Sequence, residues 1–192
     1  MEAFLIATGV VALAEIGDKT QLLSLILATR YRAPWAISAG ILVSTVLNHA
    51  LAALVGESVF EWLGPDWTRW ILAASFIAMA GWMLIPDKFD DEEENAAEQR
   101  MRRYGVFVMT SVIFFLVEMG DKTQIATAIL AARFQDLLPV VAGTTLGMLL
   151  ANVPVVFFGD ALAKKMPLKI IHRITAGIFL VMGAAILFGI AF

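Results

Sequence analysis

The chain has 192 residues, 60% hydrophobic and 16% charged, against about 45–50% and about 25% in soluble domains, which excludes a water-soluble globule. Its net charge of −3 arises in residues 87–98, where seven acids (Asp87, Asp90, Asp91, Glu92, Glu93, Glu94, Glu98) face one Lys88; the remainder is close to neutral and offers nothing for nucleic acid. The absence of cysteine and the presence of only His49 and His172 exclude disulfides, thiol redox and an imidazole- or thiolate-rich metal site.

Six apolar segments follow along the chain, at about 4–28, 36–56, 69–85, 105–130, 138–159 and 171–191, each near the ~17–25 residues that cross a bilayer. The first contains no cation before Lys19 and reads as a retained span rather than a signal peptide. Pro34 precedes the second and Pro139 stands at the start of the fifth; both suit helix starts, where the missing N–H is not needed. Trp35, Trp62, Trp67 and Trp70 lie near span ends, as interfacial anchors do. Gly143 and Gly147 form a G-x-x-x-G packing signal. The expectation is an all-α, polytopic membrane protein with six transmembrane helices. Residues 1–86 would form one three-helix half, 87–103 an acidic linker and 104–192 a second half.

Bases fix the expected orientation. Ten (Arg30, Arg32, Lys88, Arg100, Arg102, Arg103, Lys164, Lys165, Lys169, Arg173) fall in the loops on one side, against Arg69 and Arg133 on the other. The positive-inside rule then makes the central loop cytoplasmic and both termini external.

The halves repeat. ALAEIGDKTQLLSLILATRY at 12–31 aligns with FLVEMGDKTQIATAILAARF at 115–134, an offset of 103 residues that also pairs Gly40 with Gly143 and His49 with Asn152. Three spans per half, an odd number, would turn the second copy upside-down, giving inverted repeats with a site near the midplane.

Each copy carries an acid motif inside an apolar span: Glu15, Asp18 and Lys19 in the first, Glu118, Asp121 and Lys122 in the fourth. Glu15 lies about 11 residues into its span, roughly 17 Å deep at ~1.5 Å per residue. A charge at that depth costs at least ~2.5–3.5 kcal/mol. On a regular helix Glu15, Asp18 and Gln21 share one face, as do Glu118, Asp121 and Gln124. Facing each other, the two stripes would converge four carboxylates and two amide oxygens. Such an all-oxygen set suits Ca²⁺, Mg²⁺ or Mn²⁺. Gly17 and Gly120 leave room for close approach or bending. Glu15–Lys19 and Glu118–Lys122 are also spaced as simple i, i+4 ion pairs. Duplication of the whole set favours function, because intramembrane ionisable residues are costly to keep. Four carboxylates and two lysines leave two negative charges, which one divalent cation or two protons would cancel.

The duplicated sequence Glu15-Ile16-Gly17-Asp18-Lys19-Thr20 and Glu118-Met119-Gly120-Asp121-Lys122-Thr123 resembles the E-x-G-D-[KR]-[ST] family of cation/proton exchangers, which includes bacterial manganese exporters and Golgi manganese/calcium transporters. The resemblance covers essentially the whole chain. It implies exchange of Mn²⁺, or alternatively Ca²⁺, for H⁺, with Glu15, Asp18, Glu118 and Asp121 as metal ligands. It also implies export from the cytoplasm, and the compact form without a targeting peptide favours a bacterial plasma membrane over an organellar one. The metal would be a transported substrate, with no resident cofactor; the partners are the ion, protons and the lipid bilayer, and a homo-oligomer is compatible with all of this.

Other polar groups complete the candidate path. Ser44, Thr45, Asn48 and His49 on the second span, and Thr144, Thr145 and Asn152 on the fifth, are placed to join the site or to bond between helices. Asn48 and Asn152 are the pair of first interest. On a regular helix Thr20 and Thr123 point about 140° away from the acids and reach them only if the chain unwinds after the glycine. Lys19 and Lys122 are either gates that pair with the acids or fixed counter-charges. Two other classes, an intramembrane hydrolase with a carboxylate pair and a scaffold, require neither the lysines nor the inverted duplication.

Overall fold

The computed structural model describes residues 1–85, 105–159 and 168–189, except for the side chains of 64–66 and 168. The acidic linker expected at 87–103 and the loop bases Lys88, Arg100, Arg102, Arg103, Lys164 and Lys165 lie outside the described residues. Among those described, every regular element is a helix: α1 (Glu2–Glu15), α2 (Lys19–Tyr31), α3 (Pro34–Trp82), α4 (Val106–Val117), α5 (Lys122–Phe134), α6 (Leu137–Phe158) and α7 (Leu168–Leu187).

Among the described residues, three stretches are long and apolar enough to cross a membrane, Pro34–Leu63, Leu137–Phe158 and Lys169–Leu187. The expected second segment and all but the last three residues of the third fall within α3, which begins with Pro34 in its first turn. The far part of α3 packs on α7, with the Phe76 and Phe179 rings 5.9 Å apart. The expected continuous first and fourth spans differ from the structure. Each is split, into α1 and α2 and into α4 and α5, at Gly17 (φ 85°) and Gly120 (φ 79°). Left-handed backbone of this kind is open to glycine and strained for other residues.

The two split segments are local copies. Asp18 (φ −79°, ψ 168°) and Asp121 (φ −77°, ψ 165°) each precede a 13-residue helix. Arg32 (φ 49°) and Gln135 (φ 51°) end those helices in the left-handed conformation, donating their N–H to the Ala28 and Ala131 carbonyls.

Packing between the copies is reciprocal. A Cβ on Gly143 of α6 would meet the Phe4 carbonyl and Ala7 Cβ of α1, and one on Gly40 of α3 would meet Phe107 and Thr110 of α4. Both partners in the second contact are shifted by 103 positions from those in the first. Glycine at these places lets the backbones touch, which is how helices associate where no hydrophobic force separates protein from lipid. One apolar cluster gathers Val10, Phe76, Met79, Leu130 and Phe179; another gathers Val11, Leu23, Ile41, Phe114 and Met148. Outside, Leu47, Leu51, Leu54 and Val55 of α3 are half or more exposed, as are Trp35, Trp62, Trp67 and Trp70. Apolar faces turned outward around buried Glu, Asp, Asn and His are the arrangement of a protein solvated by lipid.

Candidate metal centre

The chain breaks because of what surrounds each glycine. Gln21 Oε1 accepts the Gly17 N–H at 2.9 Å, and Gln124 Oε1 accepts the Gly120 N–H at 2.6 Å. These are amides that unwinding has freed from the helix ladder, and a free amide in a bilayer is costly. The same side chains then reach across to the other half. Gln21 Nε2 donates to the Ala151 carbonyl at 3.0 Å, and Gln124 Nε2 donates to Asn48 Oδ1. Ala151 and Asn48 are again 103 positions apart. The glutamines thus act as staples for the unwound backbone, and their amide oxygens are spent there rather than turned toward the acids as a regular helix would have placed them.

Unwinding also brings the threonines to the acids. Thr20 Oγ1 donates to Glu15 Oε2 at 2.6 Å, and Thr123 Oγ1 lies 3.1 Å from Glu118 Oε2 and 3.4 Å from Asp121 Oδ2. Thr123 N also points to Asp121 Oδ2, at 3.5 Å, as that carboxylate caps α5.

Glu15, Glu118 and Asp121 each present one carboxylate oxygen, and the three oxygens lie within 4.8 Å of one another. All three residues are buried, with Glu15 fully inaccessible. Glu15 Oε1 and Glu118 Oε1 have no hydrogen-bond donor among the described residues. Three buried carboxylates with vacant lone pairs repel one another at such range, and a hard cation or protons would relieve that repulsion. Asp18 is buried at the start of α2 but stands outside this trio. The i, i+4 pairs considered from sequence do not describe the lysines. Lys19 Nζ lies 3.5 Å from Asp121 Oδ1, in the other half, and Lys122 Nζ donates to the Ile85 carbonyl at 2.6 Å.

Asn152 Nδ2 donates to Glu15 Oε2 at 3.3 Å, while its Oδ1 accepts from Ser24 Oγ at 2.9 Å. Asn48, besides serving Gln124, donates to the Phe115 carbonyl at 3.3 Å. Ser24 escaped the sequence reading; its only signal was a hydroxyl at the same place in both copies, Ser24 and Thr127. Ser44 and Thr144 return their hydroxyls to the Ile41 and Val141 carbonyls one turn back. Thr45, Thr145 and His49 are buried, and their side-chain polar atoms have no hydrogen-bond partner among the described residues.

A family model, the divalent cation/proton antiporter GDT1, matches residues 3–91 and 106–191. The chain belongs to the GDT1 family. Its function is divalent cation/proton transport. Among similar proteins, a Vibrio cholerae protein named "Putative manganese exporter" is 54% identical over 189 residues, covering 98% of this chain and 92% of that one. The "Divalent cation/proton antiporter GDT1" of Saccharomyces cerevisiae is 22% identical, covering 94% and 81%. A "GDT1-like protein" of Synechocystis is 27% identical, covering 93% of each. No solved structure matches. Within this GDT1-family chain, both matched stretches contain one copy of the acid motif.

Proposed function

We propose that this GDT1-family chain exchanges Mn²⁺ for protons, exporting the metal from the cytoplasm, with Glu15, Glu118 and Asp121 as its carboxylate ligands and Asp18 joining during the transport cycle. The observation that carries the reading is the meeting of three buried carboxylates from both motif copies, with two oxygens left without donors. With Lys19 beside Asp121, the trio has a net charge of about minus two when fully ionised, matched by one divalent cation or two protons. Metal and proton therefore compete for the same oxygens, and that competition is the exchange.

The six-span inverted architecture is part of the proposal. It is supported by the reciprocal glycine and glutamine contacts, each related to its counterpart by 103 positions, and by an odd number of expected spans per half. Residues 1–86 and 104–192 would rock against each other around the acids. The ten-to-two distribution of loop bases supports a cytoplasmic central linker, external termini and a plasma-membrane location. Manganese as the ion is supported by the 54% identical Vibrio cholerae relative.

The test is lumenal pH in proteoliposomes on addition of Mn²⁺, then Ca²⁺, then Mg²⁺. Manganese-dependent proton movement that is lost in Glu15→Gln and in Glu118→Gln is expected. Metal entry with no proton movement would reduce the mechanism to uniport, and a larger response to Ca²⁺ than to Mn²⁺ would change the substrate.

A further inference from the structure

Several hydrogen bonds around the motifs occur in both halves, related by the 103-residue offset. Gln21 with Ala151 corresponds to Gln124 with Asn48, and Thr20 on Glu15 corresponds to Thr123 on Glu118. One bridge is made on one side alone. Asn152 of α6 joins Glu15 to Ser24 of α2, donating to Glu15 Oε2 at 3.3 Å and accepting from Ser24 Oγ at 2.9 Å. The offset sets His49 of α3 in the place of Asn152, with Glu118 and Thr127 in the places of Glu15 and Ser24. There, Thr127 Oγ1 turns back to the Thr123 carbonyl at 2.7 Å, and neither ring nitrogen of His49 has a hydrogen-bond partner among the described residues. The two interfaces also pack differently. A Cβ on Gly56 of α3 would meet the Ala128 carbonyl of α5, whereas one on Gly159, its counterpart, meets nothing within 4 Å among the described residues.

His49 is fully inaccessible. Burying a polar ring with both nitrogens unbonded is unfavourable, and a leucine would fill the space without that penalty. A neutral imidazole presents one N–H donor and one acceptor nitrogen, the same pair that Asn152 uses between Glu15 and Ser24. The partners then decide which nitrogen carries the hydrogen. Repeats that rock about a shared site exchange conformations when access switches sides, so the α3–α5 interface takes up the arrangement that α6 and α2 have here.

We propose that His49 is a positioning residue for Glu118: in the oppositely facing conformation its ring N–H holds Glu118 Oε2 and its bare nitrogen accepts the Thr127 hydroxyl, as Asn152 holds Glu15 here. The proposal rests on the exchanger reading above. Each conformation then fixes one motif glutamate by a bridge from the other half and leaves that glutamate's second oxygen to the metal. Ions arriving from one face meet Glu15 so held, and ions arriving from the other meet Glu118. His49 works as a neutral donor and acceptor, so an amide replaces it and a hydrocarbon does not.

The experiment measures initial Mn²⁺ flux against Mn²⁺ concentration in right-side-out and inverted membrane vesicles. His49→Leu raises the apparent KM about three- to tenfold on one face only, and His49→Asn stays within about twofold of wild type on both. Thr127→Val, which removes the hydroxyl and keeps the shape, raises KM on the same face as His49→Leu. The double variant is no worse than the more affected single one, because both remove one bridge. Asn152→Leu raises KM on the opposite face. Thr127→Val carries the test should His49→Leu not fold, since it probes the same bridge from the other side. Equal shifts on both faces, no shift on either, His49→Asn behaving like His49→Leu, or additive effects of His49→Leu and Thr127→Val would overturn the assignment. Absence of Mn²⁺ flux in the folded wild-type protein would instead overturn the exchanger reading, so the two failures are distinct.

Discussion

The side chains that hold the acids are as decisive as the acids. Glu15 has one oxygen fixed by Thr20 and Asn152, which leaves its other oxygen for the site. A hydrogen bond to a charged group contributes about 1.5–3 kcal/mol. Thr20→Val, which removes the donor while keeping the shape, is therefore expected to weaken the apparent Mn²⁺ affinity by about tenfold and to lower the melting temperature, since the bond is already made in the metal-free site. The Mn²⁺ concentration dependence of proton flux reads the first, and a thermal melt in detergent reads the second. Acidity acts on the same oxygens. Where protons and metal exclude each other, apparent affinity falls as pH falls, with a limiting slope of about two decades per pH unit if two protons leave for each metal. Isothermal titration with Mn²⁺ at several pH values measures that slope, and a flat profile would contradict competition at the carboxylates.

Glycines divide the helices into two kinds of joint. Gly120 has φ 79° and open space around a Cβ, so Gly120→Ala meets only backbone strain, about 1–2 kcal/mol. Gly143 has the opposite problem, with the Phe4 carbonyl 2.5 Å from where a Cβ would sit. Gly143→Leu must push α6 off α1, and overpacking of this kind costs about 1–3 kcal/mol or more. The expected order is a moderate loss of melting temperature with a large loss of flux for Gly120→Ala, and a larger loss of melting temperature for Gly143→Leu. Reversal of that order would mean that α1–α6 packing is not what holds the halves together. The duplicated motif and the packing glycines were visible in the sequence, and unwinding after Gly17 or Gly120 was one of two alternatives it left open. Residues 12–27 and their copy are apolar and periodic enough to read as continuous helices. Only the glutamine staples, bonded to positions about 130 and 76 residues away in sequence, make the unwound form affordable in lipid.

At the scale of the molecule, the proposal is a pair of interlocked halves in which the second span of each half packs on the first helix of the other, α6 on α1 and α3 on α4. Single-cysteine labelling tests the orientation directly, because the native chain contains none. With a membrane-impermeant reagent on intact cells, Glu2→Cys should react and Glu93→Cys should react only after the cells are opened. The reverse pattern would invert the topology, and reaction of both from outside would mean that the number of crossings between them is even. The inverted arrangement follows from the same count, since three crossings per half turn the second copy over.

Composition, the 103-residue offset and the duplicated E-x-G-D-K-T motif are properties of the sequence alone, and they determined the class of protein, the likeness of its halves and the acids proposed as ligands. They suffice because burying charge in an apolar span is so expensive that the charges announce themselves. What the chain does at Gly17 and Gly120 was decided by tertiary structure. A helix that stays wound turns Gln21 and Gln124 toward the acids and Thr20 and Thr123 away from them; the unwound chain exchanges those roles. The choice between the two depends on partners such as Ala151 and Asn48, supplied by a distant segment. The same holds for the lysines. Local sequence treats Lys19 and Lys122 alike, and only the packing of one half against the other sends one to Asp121 and the other to the Ile85 carbonyl.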